Sequence, residues 1–276
     1  MIITDKFVFI HFPKSGGTFI ANNIERLYKN QLIPNYQKKG FLHKWTHSSP
    51  FFTDFRENPF FDNILEERHN HNGICLLPQK YHHLPVFTSI RIPYDFYVSY
   101  FETNKWVTKQ TLNNPEIQER FPNFPQLNFT QFLDFIDLYY TQQVYRKITG
   151  QQPIHRIGLY SLLVILLYSD QPLKDFSLLK EKETSNYNLE DFHLHRGIHF
   201  IDFQQLTAQF HEYMNHFFTE KFTQFIDKQP KENISPHRIS LRWEDYFSDM
   251  MQENILRKDQ LGFLFFESML NKTSKL

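Results

Sequence analysis

The stretch FVFIHFPKSGGTFI, from Phe7 to Ile20, places a lysine, a serine, two glycines and a threonine directly behind an apolar run. Glycines at the mouth of a helix let successive backbone N–H groups turn toward one point, and the helix macrodipole adds partial positive charge there. Lys14 can bring its ammonium to that point, and the hydroxyls of Ser15 and Thr18 can donate to it. The chemistry on offer is an anion cradle, although a plain strand-to-helix turn can share the composition. Residue order excludes two common phosphate loops. A Walker A loop carries its lysine after the glycines, as G-x-x-x-x-G-K-[ST], whereas Lys14 precedes Gly16 and Gly17. The G-x-G-x-x-G dinucleotide fingerprint does not occur.

Other reactive side chains carry less information. The chain has 14 histidines, and His69 with His71, His82 with His83, and His193 with His195 and His199 invite a metal reading. None shows H-E-x-x-H or Cys/His spacing, so no metal site is expected. Cys75 is the single cysteine, which excludes a disulfide framework and a cysteine-based zinc or iron–sulfur centre. Lys plus Arg and Asp plus Glu both number 30, so no net field draws the chain to nucleic acid or to an anionic membrane. Neither is expected as a partner. The sequence leaves the oligomeric state unknown.

These residues need elements to hold them. Lys6–Phe12 is rich in β-branched and aromatic residues and ends at Pro13, which predicts a short buried strand. From Thr18 to Asn30, Phe19, Ile20, Ile24, Leu27 and Tyr28 recur near helical spacing. The segment Leu84–Pro93 repeats the theme, an apolar run leading to Arg91 and Pro93, and the helical pattern continues from Tyr94 to Trp106. Ile198–Leu206 is a third strand candidate, followed by an amphipathic helix. Residues 31–83 show no clear period and predict loops with short helices on the side where ligands enter. Residues 107–150 and 207–266 look helical.

The fold class expected is α/β, with a P-loop-like central parallel sheet flanked by helices. No Pro/Gly/Ser-rich linker divides the chain, so one domain over residues 1–276 is expected. With 41% apolar residues and 31 phenylalanines, the core should be strongly aromatic. The longest apolar run, Ile157–Tyr168, falls short of the ~20 residues that span a bilayer and reads as a buried helix. The N-terminus lacks a signal-peptide layout, and a cytoplasmic protein is expected.

Two of these segments together carry a resemblance. PKSGGT resembles the 5′-phosphosulfate loop of sulfotransferases that use 3′-phosphoadenosine 5′-phosphosulfate (PAPS). IRIPYDFYVSYF, Ile90–Phe101, resembles their 3′-phosphate segment, R-[DN]-P-x-x-R-x-x-S-x-[YF]. Arg91, Pro93, Ser99 and Tyr100 match, while Ile92 replaces the usual Asp or Asn and Phe96 the frequent Arg. The later segments GLYSLLVILLYSDQP, HFIDFQQL and 232–266 are similar to the mid-chain helix, late strand and C-terminal region of the carbohydrate-type, sulfotransferase-family-2-like enzymes, here as a bacterial cytosolic member.

The resemblance implies in-line transfer of a sulfuryl group to a hydroxyl or nitrogen of a small-molecule natural product or carbohydrate, without a metal, leaving 3′-phosphoadenosine 5′-phosphate (PAP). Lys14 would stabilise the leaving oxygen, the backbone from Ser15 through Gly16, Gly17 and Thr18 to Phe19 would hold the 5′-phosphate, and Arg91 and Ser99 would take the 3′-phosphate. A general base is expected of His47, then His43, then Glu102. Arg238 can reach the nucleotide or lie on the surface. Two other readings stand beside this one: a P-loop-type nucleotide-dependent kinase, disfavoured by the position of the lysine, and a non-catalytic nucleotide- or glycan-binding relative.

Overall fold

The computed structural model describes residues 1–30, 71–104, 106–150, 157–181, 187–219 and 242–273. The apolar run ahead of Pro13 is a strand, but a short one, β2 at Val8–Ile10. Ahead of it lies a strand that hydrophobic pattern alone does not single out, β1 at Ile2–Ile3. The hairpin closes on Thr4, whose Oγ1 accepts from the backbone of Lys6 at 3.1 Å and of Phe7 at 2.9 Å. A short hydroxyl side chain bonding its own backbone in this way is a recurrent turn device.

After β2 comes helix α1, Gly17–Asn30. Strand β3, Val86–Ile90, leads into α2, Pro93–Glu102. A helical region follows, with α3 (Lys109–Leu112), α4 (Pro115–Arg120), α5 (Phe129–Phe135), a π-helical turn over Ile136–Thr141, and α6 (Gln142–Thr149). Next are α7 (Leu159–Tyr168), α8 (Pro172–Glu181), strand β4 (Ile198–Asp202) and α9 (Leu206–Asn215). The described chain ends with α10 (Asp249–Lys258) and α11 (Gln260–Thr273).

The sheet runs in the order β1-β2-β3-β4. Val8 pairs with Val86 and Val86 with Ile198, so β2, β3 and β4 are parallel, as expected; β1 is antiparallel and makes the sheet mixed. Parallel strands need cover on both faces, and the alternation along them supplies it. Phe9, Phe87 and Ile201 meet Ile20, Ile24 and Leu27 of α1 and Phe210 and Met214 of α9 on one face. Val8, Ile10, Val86, Ile90 and Phe200 join the other core with α2, α7 and α11. Each such side chain contributes about 1.5–3 kcal/mol on burial. The strands are only two to five residues long, so packing on both faces, more than the ladders, holds the sheet.

Two expectations are adjusted. The third strand stops at Asp202, because the Asp202 side chain accepts from Gln204 N–H and starts a helical turn. The α2 helix ends at Glu102, four residues before Trp106, and Asn104 takes a positive φ of 50° to turn the chain. Of residues 31–83, those from 71 onward carry two 3₁₀ turns, Ile74–Leu76 and Gln79–Tyr81. The run ending at Tyr168 is a helix buried at every position, α7. Among the described residues, no helix is long and apolar enough to cross a membrane.

Candidate active site

Ligands of open parallel sheets gather at the carboxyl ends of the strands. Here β2 and β3 deliver the glycine loop and Arg91 to that edge side by side. Leaving β2, the chain passes His11, Phe12 and Pro13, and Lys14 adopts φ 62°. That left-handed conformation disfavours any residue but glycine, by about 1–2 kcal/mol. A brace holds it: Arg91 Nη1 donates to the Lys14 carbonyl at 2.9 Å. Gly16 follows with φ 85°, and a Cβ there would fall 2.4 Å from Leu206 Cδ2. At Gly17 a Cβ would fall 1.8 Å from His11 Cδ2. The glycine pair thus admits Leu206 on one side and the His11 ring on the other, and α1 begins between them.

Of the two hydroxyls expected at the anion, one is turned away. Ser15 is fully buried, donates to the Phe12 carbonyl at 2.8 Å and meets Ser89 Oγ of β3 at 2.9 Å. It ties the loop to the neighbouring strand, so any contact of Ser15 with an anion in the loop must come through its backbone N–H. Thr18 is exposed on the first turn of α1, and Phe19 is half-buried beside it.

Arg91 leaves the end of β3 almost fully buried. Besides its bond to Lys14, its Nε donates to Asp95 Oδ2 at 2.5 Å, and its guanidinium lies 4.0 Å from the centroid of Phe203. Phe203 comes just after β4, so three strand ends meet on this one side chain. Lys14 Nζ donates to Thr103 Oγ1 at 3.0 Å, one residue beyond α2. Thr103 in turn can donate to the carbonyls of Ser99 at 3.1 Å and Tyr100 at 3.2 Å. Ser99 is half-buried. The glycine loop and the Arg91 segment, 77 positions apart at their hydrogen bond, form one structure.

The two departures from the sulfotransferase pattern have physical consequences. Phe96 is fully buried, with its ring 5.9 Å from Phe12 and 5.3 Å from Tyr160, so a core residue stands where an arginine is frequent. Ile92 is the N-cap of α2 and makes no side-chain cap bond. An Asp or Asn there could satisfy a helix N–H. Pro93, lacking an N–H of its own, lowers the need.

The expected bases are distributed unevenly. His47 and His43 lie outside the described residues, as does Arg238. Glu102 is buried and accepts from Tyr246 O–H at 2.6 Å, which binds it to the C-terminal region. A different histidine stands beside the loop. His71 Nδ1 lies 2.8 Å from the His11 carbonyl, and the two rings are 4.5 Å apart. Sequence spacing rates this pair poorly, since His11 belongs to a strand end and His71 follows neither metal pattern; the signal available is that His11 directly precedes the cradle. Three further histidines among the described residues have partners elsewhere. His193 pairs with buried Asp175, His195 with Asp170, and His199 stacks on Tyr213, where burial and the nearby His216 lower its pKa.

No protein-family model matches the chain, and no curated protein matches it. Among solved structures, that of mouse sulfotransferase SULT7A1 complexed with PAP is similar, with 14% sequence identity, 95% of this chain and 88% of that chain covered, and a TM-score of 0.39.

Proposed function

We propose that the chain is a PAPS-dependent sulfotransferase. One observation carries the reading: the lysine–glycine loop and the Arg91 segment, each resembling one half of a PAPS site, are hydrogen-bonded to each other at the carboxyl ends of adjacent parallel strands. The first half supplies a 14-residue helix, and helix N-termini offer unsatisfied N–H groups to an anion. The second supplies a guanidinium, whose five donors allow one side chain to brace the loop and meet a phosphate.

On this reading the 5′-phosphosulfate sits at the start of α1 and the 3′-phosphate near Arg91 and Ser99. Transfer is mostly positioning and charge stabilisation, with attacking and leaving atoms in line. An acceptor oxygen or nitrogen bonds to sulfur as the bond from sulfur to the bridging oxygen breaks, and PAP leaves with the electron pair. Lys14, whose ammonium is hydrogen-bonded to Thr103 Oγ1, is the cation this reading assigns to the charge on that oxygen. The acceptor class proposed is a small molecule or a carbohydrate.

Calorimetric titration with PAP, AMP and ATP–magnesium is the direct test. PAP should bind in the presence of EDTA and much more tightly than AMP. Binding of ATP–magnesium without binding of PAP would transfer the site to the kinase reading. Mass spectrometry of metabolites incubated with PAPS then identifies the acceptor by its gain of a sulfuryl group.

A further inference from the structure

Arg91 carries a long, flexible side chain, yet its guanidinium is held from several sides, one of them the ring of Phe203. We propose that Phe203 is a positioning residue for nucleotide recognition: its ring keeps the Arg91 guanidinium set for the 3′-phosphate and so sharpens the preference for PAP over AMP. The inference rests on the sulfotransferase reading and names the residue that stands behind its phosphate-binding arginine.

Sheet register brings the pair together. The last rung between β3 and β4 joins Ile90 to Asp202, so Arg91 and Phe203 are the next residues along two adjacent parallel strands. Neighbouring strands lie about 5 Å apart, within reach of both side chains. Asp202 then stops its strand. Its carboxylate accepts from Gln204 N–H at 2.9 Å, its own N–H donates to Gln209 Oε1 at 2.7 Å, and Phe203 heads a 3₁₀ turn over Phe203–Gln205. Arg91 Cζ lies over the Phe203 ring, 4.0 Å from its centroid. The same ring reaches the glycine loop, since a Cβ on Gly16 would fall 3.3 Å from Phe203 Cδ2. One half-buried side chain thus touches both halves of the proposed donor site.

A ring suits this place for a chemical reason. Asp95 accepts from Nε and the Lys14 carbonyl from Nη1, along N–H bonds that lie in the guanidinium plane. An aromatic face attracts the cation through its quadrupole and carries no negative charge. A second carboxylate would also orient the arginine, but it would repel an incoming phosphate. The ring orients without repelling. An arginine ordered before the ligand arrives also loses less conformational freedom on binding.

Two substitutions separate this role from space filling. Phe203→Leu keeps an apolar side chain against Gly16 and deletes the ring, whereas Phe203→Tyr keeps the ring. Calorimetric titrations with PAP and AMP compare both with the wild type. In Phe203→Leu, affinity for PAP should fall about three- to tenfold, as loss of a cation–π contact implies, while affinity for AMP stays within about twofold. Phe203→Tyr should restore the preference for PAP. In an Arg91→Ala background, Phe203→Leu should cost less than about twofold in PAP affinity, because residues that act through one another are not additive. Equal losses of PAP and AMP, equal effects in both backgrounds, or a Phe203→Tyr variant that behaves like Phe203→Leu would each overturn the assignment. The contact itself has a readout apart from nucleotide binding: the Arg91 Nε–H proton should move downfield in Phe203→Leu as shielding by the ring is lost, and an unmoved proton would remove the ring from Arg91. A wild-type chain that binds no PAP overturns the sulfotransferase reading and this inference with it, whereas PAP binding with an unchanged PAP-to-AMP ratio in Phe203→Leu overturns this inference alone.

Discussion

Lys14 sets two demands against each other. Its side chain is the cation proposed for the leaving oxygen, yet its backbone holds a conformation better suited to glycine. A residue kept in such a region persists only where its surroundings overdetermine it, as the Arg91 hydrogen bond does here. Replacements can separate the two. Lys14→Gly and Lys14→Ala should both lose about 10²–10³-fold in sulfuryl transfer, as removal of a preorganised charge-stabilising group does. Lys14→Gly should be more stable than Lys14→Ala by about 1 kcal/mol, because only glycine is relieved of the left-handed strain. Radiolabelled PAPS reads the first effect and urea denaturation the second. Near-normal turnover in either variant removes Lys14 from the chemistry, and equal stability removes the strain. Arg91 is also asked to do two things, bracing the loop and meeting the 3′-phosphate. A lysine keeps the charge but lacks the planar fork. In Arg91→Lys, affinity for PAP should fall at least about tenfold while affinity for AMP changes little. An unchanged ratio of the two constants would assign the 3′-phosphate to another residue.

At the scale of elements, the loop is legible in the sequence because its signal is local. An apolar run, a proline, a lysine and two glycines announce strand, turn and helix within fourteen positions. The same holds for β3 with Arg91 and for α7, whose residues are apolar all round and buried throughout. What touches the loop from far along the chain is not legible. Nothing in HFIDFQQL says that Phe203 will cover Arg91 or that Leu206 will lie against Gly16. Nor does any pattern turn the Ser15 hydroxyl away from the ligand side toward Phe12 and Ser89. Those contacts depend on β4 pairing with β3, a fact of sheet order that periodicity does not encode. The element therefore predicts its own test. Gly16→Ala meets both a positive φ and a side chain at 2.4 Å, and should destabilise the chain by about 1–3 kcal/mol. Adding Leu206→Ala should recover the steric part only. Thermal unfolding of the two variants compares them, and full recovery in the double variant would show that the backbone angle costs nothing.

Across the whole molecule, one buried carboxylate joins elements that sequence reading treats separately. Asp259, between α10 and α11, is fully buried. Its Oδ1 accepts from the Ser161 backbone at 2.7 Å, and its Oδ2 accepts from Tyr97 O–H at 2.6 Å. Tyr97 oxygen accepts in turn from Leu159 N–H at 3.0 Å. The N-terminus of α7 is thus capped by residues of α2 and of the α10–α11 junction, and α2 is the helix that follows Arg91. Burial nevertheless dominates: it lifts the Asp259 pKa from 3.8 to about 6, against the lowering effects of Tyr97, Ser161 and Lys258. Because this value lies above that of the unfolded chain, the native protein holds the proton more tightly than the unfolded one does. The contribution of Asp259 is therefore fullest below about pH 4 and is lost as pH rises through about 6, a swing on the order of 3 kcal/mol. Asp259→Asn stays neutral across that range and serves as the reference. Between pH 4 and pH 7, the unfolding free energy of the wild type should fall relative to that of Asp259→Asn by about 3 kcal/mol in urea titrations. A constant difference, or one that moves in favour of the wild type, would mean that the hydrogen bonds capping α7 outweigh desolvation and that Asp259 is held as a stabilised anion.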